Sequence, residues 1–311
     1  MNHRQWTTLA VIVLPVVSVL LIVGVLAPTS AHSTPAQIVA TGTVSVYLPQ
    51  VRNDPPPSPT PTTVPTPTAT PDYGEMILIS AGTFQMGCDA NNTSEECYAN
   101  EQPLHTVNLG GYYIDKYEVT NGRYKSCVDA GVCTAPQQPS SSTRPSYYDN
   151  PAYVNYPVIK VTWNQADTFC RWQGKRTPTE AQWEKAARGN GDARKYPWGN
   201  TEPNCSTSAT YGCVSDTAAV GSFPNGASPY GILDMAGNVR EWVNDWYAAD
   251  YYSISPTNNP QGPTSGTGRV LRGGSWGETP STYGVRLADR HYRASSPSSV
   301  ADLGFRCVRP Q

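Results

Sequence analysis

Eight cysteines are the side chains with the most chemistry to offer in this 311-residue chain, and only four histidines accompany them. Thiolates bind soft metals, attack as nucleophiles or close disulfides, depending on surroundings and compartment. Spacing points to closure. Cys127 and Cys133, Cys205 and Cys213, and Cys88 and Cys97 each lie close enough in sequence to form a small loop, which leaves Cys170 and Cys307. A bridge between that last pair would tie a helix to the C-terminal segment, with a loop-closure contribution of about 4–5 kcal/mol. The alternative is that some of the eight remain buried free thiols. Zinc is disfavoured, because there is no Cys-x-x-Cys and no paired histidine spacing.

The elements that would have to position these residues follow from composition and patterning. With 22 basic and 24 acidic residues the formal charge is −2, too balanced for electrostatic capture of nucleic acid. Gly and Pro number 26 and 29, while 8 Trp and 19 Tyr stand against 4 Phe, which argues against a helical bundle and for a turn-rich, aromatic-rich exported domain. No charged residue occurs between Arg4 and Arg52, and Leu9 to Ala27 is almost wholly apolar. Residues 1–31 therefore read as a signal peptide cleaved after Ala31 or as a retained membrane anchor, and both place the remainder outside the cytoplasm. Residues 32–72 form a linker ending in the Pro/Thr-rich stalk Pro55 to Pro71, roughly 50 Å long if fully extended as polyproline. The apolar stretch Val44 to Val51 reads equally as a lone strand or as linker.

Residues 73–311 read as one domain. Short strands are expected at Met76 to Ile79, Gly82 to Gly87, His105 to Leu109 and Gly111 to Ile114. Three helices follow. The first starts at Thr120 and ends near Gly131; the second runs from Thr162 to Gly174 with Ala166, Phe169, Cys170 and Trp172 on its apolar face. In the third, Thr177 is the expected N-cap, Pro178 the first helical residue and Glu180 the capping-box partner, with Gly189 as the stop. Beyond Tyr196 periodicity is lost for over 100 residues, and such irregular chain needs disulfides or ions to hold it.

Six segments, in order, carry a resemblance: Met76 to Gly87, Gly174 to Glu184, Tyr196 to Asn200, Asp234 to Trp242, Arg272 to Trp276, and Gly304 to Cys307. Together they resemble the formylglycine-generating enzyme family, also called sulfatase-modifying factors. The resemblance implies an α+β fold, a variant of the C-type lectin fold with little regular secondary structure, and it implies that Cys170 and Cys307 form a disulfide. It also implies oxidation of a sulfatase cysteine to Cα-formylglycine with a copper ion held by two cysteines. Here those two positions fall on Glu278 and Tyr283, and oxygen ligands do not replace thiolates for Cu(I). The resemblance thus comes without its copper ligands.

A structural calcium ion is also implied, held by the side chains of Asp234 and Glu241 and the backbone carbonyls of Gly237 and Val239; oxygen donors suit that ion. A local Glu241–Arg240 pair is the alternative. A second family calcium site, in Asn204 to Val214, would need an acid where Gly212 stands. The remaining candidates form a polar pocket from Ser275, Trp276, Glu278, Tyr283, Arg286 and Arg290, with His291 and Tyr292 nearby, suited to a peptide, glycan or carboxylate. Alternatively Glu278 and Asp289 pair with those arginines merely to order the loops, and Trp276 is core. Lys175 and Arg176 are expected to position helix ends. Three functions follow: an extracytoplasmic binding or scaffolding module for a protein, peptide or glycan partner, membrane-associated if the first segment is retained; an enzyme of the wider family with other chemistry; or formylglycine generation, alone or as a helper subunit.

Overall fold

The computed structural model describes residues 74–91, 96–210, 212–279, 283–294 and 300–311. The signal or anchor, the stalk and the stretch Val44 to Val51 lie outside the described residues. No helix among the described residues is long and apolar enough to cross a membrane.

Four strands form where short strand-like runs between turns predict them: β1 (Met76–Ile79), β2 (Gly82–Met86), β3 (His105–Leu109) and β4 (Tyr112–Asp115). β2 and β3 pair antiparallel as a two-stranded sheet, and β1 pairs with β4 in register Met76 to Asp115. The helices α1 (Asn121–Asp129), α2 (Trp163–Trp172) and α3 (Glu180–Arg188) follow. Thr120 caps α1 and Thr162 caps α2, each accepting the backbone N–H three residues on. The cap of α3 differs from expectation. It is Thr179, whose hydroxyl accepts from Gln182 N–H while the Gln182 side chain accepts from Thr179 N–H. Thr179-x-x-Gln182 satisfies the same capping-box pattern as Thr177-x-x-Glu180, and the Pro178 carbonyl is occupied by Asn244 N–H from a neighbouring strand.

The region without periodicity is not without order. It contains β5 (Arg240–Trp246), β6 (Arg269–Arg272), β7 (His291–Arg293) and β8 (Leu303–Gly304), which make a sheet in the order β7-β6-β5-β8. β5 pairs antiparallel with β6 and parallel with β8. Its sequence Arg-Glu-Trp-Val-Asn-Asp-Trp hides the strand period because it buries Glu241 and Asp245 as well as Trp242 and Val243. The final strand, β9 (Val308–Pro310), joins the first sheet beside β4.

All nine residues of α3 are buried, charged ones included. Lys185 donates to the carbonyls of Ser80 and Gly82, and Arg188 to Glu184 and the Gly87 carbonyl, so α3 is wired to the N-terminal strands. One apolar core surrounds Trp183 and joins Ile79, Phe84, Val107 and Val243. A second surrounds Phe169 and Phe305 with Trp242 and Leu271. Cys170–Cys307 lies inside the second core, and Cys88–Cys97, Cys127–Cys133 and Cys205–Cys213 close the short loops, so no cysteine is free. Four bridges match an oxidising, extracytoplasmic compartment.

Candidate functional site

Gly273 and Gly274 both have positive φ, and a Cβ at Gly274 would collide with the Gly284 carbonyl. This close approach sets Ser275, Trp276 and Glu278 in a turn against residues 284–285. Ser275 is fully buried and its hydroxyl donates to Asp302 over 3.1 Å. Arg240 reaches the same carboxylate at 2.6 Å, pairs on its other side with Glu278, and lies 3.4 Å from the Ser275 hydroxyl. The Trp276 indole donates to the Ala301 carbonyl. Strand alternation places Arg240 on the opposite face of β5 from Glu241, so the local Glu241–Arg240 pair does not form. Asp302 escaped sequence reasoning because it carries no motif; only the pairing of β5 with β8, in which Arg240 N–H donates to the Asp302 carbonyl, brings it beside Arg240.

Of the other pocket candidates, Arg286 and Arg290 do not line this cluster. Arg286 is fully buried and bidentate on Glu101 at 2.7 and 3.0 Å. Arg290 is bidentate on Glu180 at 2.7 and 3.0 Å and donates to the Asn100 carbonyl. Both order the interior. Burial pushes the Glu101 carboxyl up despite Arg286. Burial also opposes ionisation of Glu180, but Arg290 and Arg272 more than offset it and hold the carboxyl below its ordinary range. Glu278 and Asp289 find different partners from those expected: Glu278 takes Arg240, and Asp289 takes His291 at 3.1 Å. Tyr292 stacks on Tyr247 at 4.2 Å. Tyr283 opens the turn Tyr283–Val285, but its side chain lies outside the described residues. Lys175 forms a buried pair with Asp115 at 2.8 Å, and Arg176 bonds Gln182 at the start of α3.

The donor set does not fit copper. Every cysteine is in a disulfide, and the first of the two expected ligand positions carries a carboxylate already paired with Arg240.

For calcium the fit is better in the loop 234–239. Asp234 and Asn238 are left-handed, a conformation these two residue types tolerate. The loop is pinned by Asn238, which donates to buried Glu118 at 2.6 Å and accepts from Ala218 N–H, and by Gly237 N–H to the Gly273 carbonyl. Among the described residues the carbonyls of Gly237 and Val239 accept no hydrogen bond, and one Asp234 oxygen accepts from Gly221 N–H while the other has no such partner. These three oxygens suit a hard cation. Glu241 does not join them. Arg306 and the Trp183 indole occupy both its oxygens at 2.7–2.9 Å. Glu118, Asp234 and Glu241 face the single cation Arg306; burial first, and the neighbouring acids after it, hold Glu118 well above the usual carboxylate range, and burial lifts Asp234 to about 6. A divalent ion would offset that excess of buried acid. The second family site remains without an acid, since Gly212 has none to offer.

A model of the sulfatase-modifying factor enzyme 1-like domain matches residues 61–311. The chain belongs to this family. It is 36% identical over 260 residues to a formylglycine-generating enzyme of Streptomyces coelicolor, covering 67% of this chain and 81% of that protein. It is also 36% identical over 261 residues to the serine/threonine-protein kinase pkn1 of Chlamydia caviae, covering 77% of this chain but only 38% of the relative's length. Among solved structures, PvdO from Pseudomonas aeruginosa superposes with a TM-score of 0.64 at 28% identity, covering 76% of this chain and 95% of that one. The family's small helices and sheets, joined by long irregular segments, are thus those of this chain.

Proposed function

We propose that this member of the sulfatase-modifying-factor family is an exported, calcium-stabilised binding or scaffolding module on a variant C-type lectin fold, without copper oxidase activity. The observation that carries the reading is the state of the cysteines: all are paired, and the cluster Arg240–Glu278–Asp302–Ser275 stands where the family resemblance would put the first copper thiolate. A charge-paired cluster with no thiolate binds and orients; it does not reduce oxygen through Cu(I). Asp234, Gly237 and Val239 would hold the calcium ion, which stiffens the loop that bonds the Ser275 turn through Asn238. Residues 1–31 would direct export or anchor the chain, and residues 32–72 would hold the domain away from its origin, an arrangement that suits presentation of a surface to an extracytoplasmic protein, peptide or glycan.

The relatives that are formylglycine-generating enzymes make oxidation of a Cys-x-Pro-x-Arg peptide the test. The purified protein should bind no stoichiometric Cu(I) and leave the peptide unoxidised. Its melting temperature should rise in calcium and fall in chelator, and Asp234→Ala should abolish that difference. Copper bound one-to-one with turnover would overturn the reading.

A further inference from the structure

One face of the four-stranded sheet covers the second core, and register fixes which side chains stand along its margin. Arg240 is paired with Leu303 and Leu271 with His291, so these four side chains share a face, and Arg293, two residues beyond His291, shares it too. A groove of about 180 Å³ opens there. Leu271 and Leu303 form its apolar floor, and Arg240, His291, Arg293 and Asp302 stand around it.

Charge bookkeeping in the groove leaves one cation. Arg240 is balanced by Asp302 and Glu278. Asp289 holds the His291 ring through Nε2, so the neutral imidazole has no donor left over and adds no cation to the groove. Arg293 is exposed, no carboxylate among the described residues pairs with it, and the segment 294–299 that follows contains only Ala, Ser and Pro. The volume is below the roughly 300–1,000 Å³ typical of drug-sized pockets, so the occupant is small.

We propose that this groove binds a single carboxylate carried on a short aliphatic body. The planar Arg293 fork takes the carboxylate oxygens in pairs, and the aliphatic body lies on Leu271 and Leu303. One uncompensated guanidinium matches a monoanion, and the apolar floor rejects a fully hydrated inorganic ion. The proposal rests on the binding-module reading above and names its ligand. The same chemistry is offered by a free small carboxylate and by the C-terminus of a peptide that ends in an apolar residue.

The test is calorimetric titration of the full-length protein with N-acetyl-leucine, with a tetrapeptide ending in leucine, and with the C-terminal amide of each. Both carboxylates should bind at least about tenfold more tightly than their amides, the scale of a lost charge-assisted hydrogen bond. Tighter binding of the tetrapeptide than of N-acetyl-leucine assigns a polypeptide terminus; equal binding assigns a free small acid. Arg293→Gln should weaken both by about tenfold or more with an unchanged melting temperature, and Arg293→Lys should fall between, because it keeps the charge and loses the fork. Equal binding of acids and amides, no binding of any probe, indifference to Arg293→Gln, or equally tight binding of inorganic sulfate would each overturn the assignment. Copper turnover by the wild type would sink the binding-module reading while leaving these titrations interpretable. Absence of carboxylate discrimination without turnover would sink only the present inference.

Discussion

Arginines spend themselves inside this domain. Arg188, Arg272, Arg286 and Arg306 are among the largest fully buried side chains, each facing a buried glutamate. Removing one partner of such a pair strands the other charge, so Glu241→Ala should cost about 3–5 kcal/mol, measured by urea unfolding. A loss below about 1 kcal/mol would mean that water or another acid already serves Arg306. Asp245 carries a different signature. Burial, and then the charge of Glu180, raise its carboxyl to about 7. The folded state therefore keeps a proton that the unfolded chain gives up near pH 4, and Asp245 contributes stability that is complete below about pH 4 and lost as pH rises through about 7. Asp245→Asn keeps an acceptor for Glu180 N–H and should gain stability over wild type at pH 8 relative to pH 5, by about 1 kcal/mol or more. Parallel stability curves for the two proteins would contradict the raised carboxyl.

Among the elements, those that build themselves from local pattern were legible in the sequence. β1 to β4 stand out as short strand-like runs between turns, and the hydroxyls of Thr120 and Thr162 mark where α1 and α2 begin. The sheet that carries the candidate site was not, because β5 buries Glu241 against Arg306 and Asp245 against the Glu180 N–H, partners distant in sequence, and so breaks the polar-apolar alternation. The same blindness hid the partners of Arg286 and Arg290: both arginines order the interior, but through Glu101 and Glu180, which lie 185 and 110 residues away, and not through Glu278 and Asp289. The cap of α3 turns on two threonines that satisfy one pattern. Thr179→Ala should destabilise by about 1 kcal/mol, whereas the buried Thr177 hydroxyl has no hydrogen-bond partner among the described residues, so Thr177→Val should be neutral or stabilising in thermal melts. The reverse order would restore Thr177 as the cap. The Cys170–Cys307 bridge spans 137 residues between α2 and the approach to β9. Replacing both cysteines by alanine should lower stability by about 2–5 kcal/mol in chemical denaturation, more than loss of Cys205–Cys213, whose span is 8.

At the scale of the whole molecule, the domain of described residues is laced front to back. β9 pairs with β4, Cys307 bonds Cys170, and Arg306 donates to the carbonyls of Asp115 and Lys116 while it grips Glu241. Strands near both ends of the domain therefore belong to one sheet. This has a kinetic meaning. Contacts that join the first strands to residues 303–310 cannot form until those last residues are available, so the domain is committed to folding late, after synthesis has passed β9. A chain delivered through a membrane while still growing would reach the far side without its closing strand and its longest disulfide, and would remain threadable until released. For a chain that is exported, the seam made by β9 would thus leave it threadable up to the moment when an oxidising compartment can seal it.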